Sequence, residues 1–516
     1  MLRRKLFLVA VSVLLIGLFT LGAQAQTPKY GGTFDYALDR DVGSIDPHSA
    51  HSVQRINVGL MMFDQLFTFD TTGQVVPNLV ESYEISPDGL VYTFHLRKGV
   101  KFHTGREMTA QDVKFSFERL SDPRTQALGY AELNSVLGKQ EFSNGEAAEI
   151  TGIRVIDDYT VEIELVAPDA TFTRKLAKVY TSIVGYEGIG ENMEFITPVG
   201  TGPFKYVEYV PNQHLILERN PDYWQEGLPY LDSDVFRIMS DPNSRFAALQ
   251  SGDIDLIGVA LQPEQFIQLQ ANPDLRGTEG TATTEITMAM NNTREPFSNP
   301  LVRQAITHAI DKEAIVNGAF FGLGTIIGSH MSPAEPYYVD LSNTYAYDPE
   351  RARELLAEAG YADGFTIQFE LPEPYNTERR TGEVIAQQLA QVGINAELSV
   401  VEWTTWINRI LLGGDYDMTI IGHSEPRDIG VYGNPDYYYH YDNPRVVELL
   451  AEAEAAATTE ESNAKFQEIA TIIAEDAVNV WVFSAPYLVA ARADVHGFWT
   501  DQPTPSINVT EVYRAE

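Results

Sequence analysis

Between Phe365 and Ile421 the sequence changes its apolar period four times, and that alternation leaves few architectures open. Phe365 to Glu370 reads as a strand, about Thr377 to Val392 as a helix, and Ile394 to Val401 as a second strand. About Trp403 to Leu412 reads as a helix and Tyr416 to Ile421 as a third strand. Helical crossovers of this length make neighbouring strands parallel and right-handed, and ligands of such sheets collect beyond the carboxyl ends of the strands. Three loops therefore meet at one edge: Leu371 to Asn376, Glu402 with Trp403, and Gly422 to Asp436. That edge carries Glu373, Trp403, Glu425, Asp428 and the run Tyr437, Tyr438 and Tyr439 as candidate ligand-binding residues. Taken singly, each of these suits an ordinary polar loop or a tyrosine packed on a sheet edge; their convergence is what singles out the edge.

The rest of the chain has the same α/β character. Leu90, Tyr92, Phe94 and Leu96 alternate on one face of a half-buried strand, and Thr109 with Asp112 forms a capping-box-like start for a helix striped by Val113, Phe117 and Leu120. Asn299 and Pro300 open a helix with Val302, Ala305, Ile306, Ala309 and Ile310 on one side, stopped at Gly318; Asp348 and Pro349 open another that ends at Gly360.

Arg3, Arg4 and Lys5, an apolar run from Leu6 to Leu21, and the small residues of Ala23-Gln24-Ala25 read as a secretory leader with cleavage expected after Ala25. The run is short for a membrane anchor, and the chain has no cysteine to carry a lipid, so the mature protein is expected to be free in a periplasm. Without cysteine there are no disulfides either, and stability must come from buried apolar area, for which 516 residues give ample chain and more than one domain. Loss of the three leader cations takes the net charge from −36 to −39. Such acidity keeps an abundant secreted protein soluble, excludes nucleic acid and anionic lipid as partners, and admits a cationic ligand.

Catalytic signatures are missing. The chain shows no Gly-x-Ser-x-Gly elbow, no His-Glu-x-x-His helix and no phosphate-cradling glycine loop ending in Lys-Ser or Lys-Thr. Its ten histidines are scattered; His95 and His103 read as surface residues rather than a metal clip, and Asp253 with Asp255 lacks the rest of a calcium loop or glycosidase site. No cofactor and no metal are expected.

Four blocks in order carry a family resemblance. They are Leu79 to Ser86 with Gly89 to His103 and Thr109-Ala110-Gln111-Asp112-Val113; Gly200-Thr201-Gly202-Pro203-Phe204 with Arg219-Asn220-Pro221-Asp222-Tyr223-Trp224; Ala248 to Asp255; and Val302-Arg303-Gln304-Ala305 with Ala309-Ile310-Asp311-Lys312. From about residue 30 to 500 the chain resembles the peptide, opine and nickel-binding receptors of bacterial ABC importers (extracellular solute-binding proteins, family 5). The resemblance implies a two-lobed periplasmic binding protein fold with hinge strands. Lobe I would be 26–287 plus 480–516 with an extra subdomain near 50–190, and lobe II would be 288–479. It also implies a ligand engulfed between lobes that hinge shut, a membrane permease as partner and a monomeric state. Asp41, Asp46 and His48 lie in an early loop that faces the cleft in relatives, and Trp403 matches a tryptophan that lines it.

Two departures bear on the ligand. Dipeptide-binding members carry arginine before Pro-Tyr-Asn to hold the peptide carboxylate, whereas Glu373 precedes Pro374-Tyr375-Asn376 here. Their Gly-Trp-x-x-Asp stretch, which holds the peptide ammonium, is Gly422-His423-Ser424-Glu425-Pro426-Arg427-Asp428 here, so a histidine replaces the tryptophan and the acid moves to Glu425 or Asp428. The leading expectation is a non-catalytic receptor for a peptide or another amine-bearing solute, with an oligosaccharide receptor as the alternative and an extracellular hydrolase as the reading from another class.

Overall fold

The computed structural model describes residues 28–49, 52–125, 127–269, 271–373, 375–424, 427–456, 458–502 and 509–515. The leader, Pro374 and Glu425 fall outside them. Two large mixed sheets organise the chain. The first has seven strands in the order Leu275–Gly280, Tyr487–Arg492, Leu256–Ile257, Thr33–Leu38, Ser233–Ile238, His214–Arg219 and Phe204–Val210. The second has six, in the order Thr325–Ile326, Asn479–Ser484, Glu285–Met290, Met418–His423, Phe365–Pro372 and Ile394–Val401. A smaller antiparallel sheet of Val80–Ile85, Val91–Leu96, Thr160–Glu164 and Ile153–Asp157 adds a separate layer to the first lobe.

The chain crosses between the large sheets twice. It leaves the first after Gly280 and enters the second at Glu285, then leaves the second at Ser484 and re-enters the first at Tyr487. The crossings run side by side, with the Ala485 N–H donating to the Thr284 carbonyl at 2.9 Å. The second lobe is thus inserted in the first, and both Glu285–Met290 and Asn479–Ser484 belong to its sheet over their full length.

Burial explains the pattern. Strands in the middle of a covered sheet lose their polar face, and Glu285–Met290 and Asn479–Ser484 are buried at every position. In Val91–Leu96 the alternation seen in the sequence holds: Tyr92, Phe94 and Leu96 point inward against Val113, Phe117 and Leu120 of the helix Ala110–Ser121. The Thr109 N–H donates to the Asp112 carboxylate at 2.9 Å, closing the start of that helix. One expectation is corrected. The helix opened by Asn299 runs only over Pro300–His308, because Asp311 accepts from the Ala314 N–H at 2.8 Å and starts a second helix, Lys312–Ala319. The N-cap bond outcompetes continuation of the first helix.

The three parallel strands form as their spacing predicts. Phe365–Pro372 pairs in parallel with Ile394–Val401 on one side and Met418–His423 on the other, and the helix Asn376–Ala390 provides the first crossover. The second crossover is irregular: a short turn, Trp403–Thr405, runs into a π-helical segment, Trp406–Leu411. The lobes also touch across their cleft. Arg380 donates to the Glu264 carboxylate, and the Ala170 N–H of the first lobe meets the Glu454 carbonyl at 3.3 Å.

Phe369 is fully buried in the centre of the second-lobe core. Phe369→Ala is expected to destabilise that lobe by about 3–5 kcal/mol through lost transfer energy and an unfilled cavity, read as a shift in urea midpoint; a loss below about 1 kcal/mol would show that the core collapses around the site.

Candidate ligand-binding site

Because the three strands run parallel, Glu373, Trp403 and His423 all stand at their carboxyl ends, at one edge of the second lobe's sheet. Trp403 is set by Glu402, whose carboxylate accepts from the Thr404 and Thr405 N–H groups at 2.9 and 3.0 Å. The helical turn that follows stacks Trp403 on Trp406, with ring centroids 5.1 Å apart and planes 8° from parallel. Tyr375 meets Trp403 edge-on at 5.0 Å, and Trp406 meets Tyr438 edge-on at 6.0 Å. An aromatic wall therefore runs from the mouth of the cleft to the loop that carries Asp428.

That loop is anchored before it reaches the cleft. The Arg427 N–H donates to Glu335 at 2.8 Å, its guanidinium lies 5.0 Å over the Phe466 ring, and its left-handed φ of 62° turns the chain into the 3-10 segment Asp428–Gly433. Asp428 Oδ2 then sits between two imidazoles, 2.5 Å from His423 Nδ1 and 3.2 Å from His330 Nε2. These three ligand-type atoms all lie within 4.8 Å of one another. Burial alone would raise the Asp428 carboxyl, but the His423 charge and the hydrogen bonds from both rings outweigh it and hold the group well below the usual carboxylate range. Among the described residues no hydrogen bond reaches its Oδ1.

The remaining ring nitrogens face inward. His423 Nε2 lies 3.0 Å from the Tyr438 hydroxyl and 2.8 Å from that of Tyr439. His330 Nδ1 lies 3.2 Å from the Tyr432 hydroxyl and accepts from Trp481 Nε1–H at 3.3 Å. Glu285, directly across the ladder from His423, is buried with Oε2 unpartnered 3.9 Å from His330 Nδ1, and burial pushes its carboxyl far up.

The candidate residues divide by environment. Trp403 and Tyr437 are half-buried at the edge, and Glu373 is exposed at the strand end with no side-chain hydrogen bond among the described residues. Tyr438 and Tyr439 lie behind His423, almost wholly buried, and support it instead of presenting rings to a solute. In the first lobe the half-buried Asp41 is tied to its own lobe, accepting from the Tyr209 hydroxyl and the Asn212 and Gly43 N–H groups, which outweigh burial and lower its pKa. His48 is wholly buried: Nδ1 accepts from Arg119 at 2.8 Å and Nε2 donates to the Ser182 carbonyl at 3.0 Å. Asp46 accepts two bonds from the same guanidinium, at 2.7 and 3.1 Å. His48 thus offers no atom to a solute in this arrangement, since the fold needs both nitrogens.

Three residues that sequence reasoning passed over belong to the edge. His330 and Glu285 carry no local signal, standing in an irregular segment and an apolar strand. Glu378, in the first turn of Asn376–Ala390, is buried against Gly422, and burial pushes its carboxyl up to about 7.

The model of the bacterial extracellular solute-binding proteins, family 5, matches residues 74–444. The chain belongs to that family. It is a substrate-binding protein of the ABC-importer type, and the lobes, hinge crossings and cleft described above are the family's fold. The glutathione-binding protein GsiB of Pectobacterium atrosepticum is 33% identical over 409 residues, covering 78% of this chain and 74% of that one. Heme-binding protein A of Haemophilus influenzae is 33% identical over 460 residues, covering 81% and 79%. The periplasmic binding protein DppA of Helicobacter pylori, solved with the peptide STSA, superposes with a TM-score of 0.78 at 28% identity, covering 95% of this chain and 99% of that one. Members of the family are binding proteins, in keeping with the missing catalytic set.

Burial, with the Arg119 charge beside it, pushes the His48 imidazole down to about 4 from its ordinary 6.5. Between those values the unfolded chain holds a proton that the folded chain refuses, so this contribution to stability is complete above about pH 6.5 and drains away as pH falls toward 4. His48→Gln removes the titration. Between pH 7.5 and 5 the parent should lose about 2 kcal/mol more urea stability than the variant; equal losses would mean that the buried ring is not held neutral.

Proposed function

We propose that this receptor captures a short peptide, or a similar solute bearing a free ammonium group, and carries it to a permease in the inner membrane. The observation that carries this reading is Asp428: an ionised carboxylate at the strand edge, one oxygen fixed by two imidazoles and the other free of protein partners among the described residues. A primary ammonium, with three N–H donors, matches that oxygen, and the aromatic wall of Trp403 and Tyr437 would cover the adjoining side chain. Glu373 adds negative charge beside the wall and disfavours a free carboxylate there. Glu425 would add to the same field. The relatives bind glutathione, heme and peptides by their names, which favours a peptide over the oligosaccharide alternative.

The partner assignments follow from the same reading. The mature chain would begin after Ala25, act as a monomer in the periplasm, engulf its solute by hinge closure about residues 281–284 and 485–486, and turn over nothing. Asp41 and His48 would serve as supports for the first-lobe face of the cleft, not as contacts.

Calorimetric titration with glutathione and a panel of di- to tetrapeptides, each free and N-acetylated, tests the ammonium site. Acetylation of a binding peptide and Asp428→Asn should each weaken binding about ten- to a hundredfold, the worth of one charge-assisted bond of roughly 1.5–3 kcal/mol. Small-angle scattering should show compaction on binding. An acetylated peptide that binds as tightly as the free one would overturn the assignment of Asp428.

A further inference from the structure

We propose that His330, His423 and Asp428 form a binding site for a divalent transition-metal ion of the zinc class, set in the wall of the cleft. The three come from separate elements, with His330 and Asp428 98 positions apart in the chain, and the fold aims His330 Nε2, His423 Nδ1 and Asp428 Oδ2 at one point. Two imidazoles and a carboxylate are the donor set that late first-row divalent ions prefer over calcium or magnesium. Zinc bonds of about 2.0–2.2 Å place neighbouring donors about 3.3–3.5 Å apart, so the present separations of 2.5 and 3.2 Å need to open by only about 1 Å. Three protein ligands leave a fourth position open toward the cleft, for water or a donor atom of the solute.

What lies behind the rings makes this more than a chance meeting of polar groups. A ligating imidazole must carry its proton on the far nitrogen and donate it to a fixed acceptor. His423 Nε2 faces the hydroxyls of Tyr438 and Tyr439, and His330 Nδ1 faces that of Tyr432. Hydroxyls accept as readily as they donate, so the far nitrogen of each ring has an acceptor for its N–H when an ion takes the near one. Trp481 Nε1–H, which points at His330 Nδ1, has the Tyr432 oxygen as a second acceptor at 3.2 Å. The buried, unpartnered Glu285 Oε2 is the independent sign. Only 3.9 Å from His330 Nδ1, it offers the far nitrogen of that ring a second acceptor that the metal-free arrangement leaves unused.

The inference goes beyond the ammonium reading and does not depend on it, since the ion would use Oδ2 and the solute Oδ1. Chelator-washed full-length mature protein titrated with zinc chloride should bind one ion per chain, and cobalt should give the intense visible bands of a tetrahedral complex. His330→Gln and His423→Gln should each weaken zinc binding at least a hundredfold, whereas His214→Gln, outside the cluster, should leave it unchanged. Glu285→Gln, which touches no ion, should weaken it about ten- to a hundredfold as a positioning residue. Absence of stoichiometric binding and of the cobalt bands in the parent protein, a result that needs no variant to fold, overturns the proposal. So does binding that survives in both histidine variants. Peptide titration in the presence of chelator separates the two readings: a peptide that binds there while zinc does not leaves the ammonium site standing and removes the metal.

Discussion

Asp428 Oδ2 accepts hydrogen bonds from His423 and His330 at once, and the cleft wall of the second lobe is organised about that shared oxygen. A carboxylate this enclosed would take up a proton if burial were the only influence; two imidazole donors reverse the sign and keep the charge. The charge in turn fixes the rings. Each ring is then pinned from behind by a tyrosine hydroxyl, and the tyrosines pack against Trp406, Trp481 and one another, so one electrostatic contact sets the order of an aromatic layer.

A second carboxyl close by is treated in the opposite way. Glu378 lies against Gly422 with no side-chain ion pair among the described residues, and burial pushes it up to about 7. Burial pushes Glu285 up as well. One edge therefore presents an ionised acid beside acids that favour the neutral form, and it is the neighbour, not the residue type, that decides which is which. The first lobe uses the same device for scaffolding: Arg119 gathers Asp46 and His48 into a buried cluster, and Tyr209 with two backbone N–H groups absorbs Asp41.

The paired crossings give this edge its mechanical setting. Glu285 follows directly on the first crossing and Ser484 precedes the second, and the two residues are partners across the ladder. The cluster is thus one residue layer from the paired crossings. The ion pair of Glu264 and Arg380 joins the two lobes, both partners more than a third exposed, and is worth at most about 1 kcal/mol to the contact between them.

Local sequence determined a good deal of this protein. Apolar period, Pro and Asn starts and Gly stops laid out the three parallel strands and their crossovers, because strand and helix place their apolar residues at different spacings. The ordered motif blocks supplied the two-lobed architecture, and parallel topology located the edge that carries Glu373, Trp403 and Asp428. What tertiary structure alone decided was the state of each side chain there. No periodicity separates Tyr437, half-buried at the edge, from Tyr438 and Tyr439, sealed behind a histidine; no spacing connects His330 to Asp428 across 98 positions or sets Glu285 behind them. Secondary structure is written in near-neighbour patterns, whereas charge state, hydrogen-bond partnership and access to a solute depend on which distant segments the sheets bring within a few ångströms.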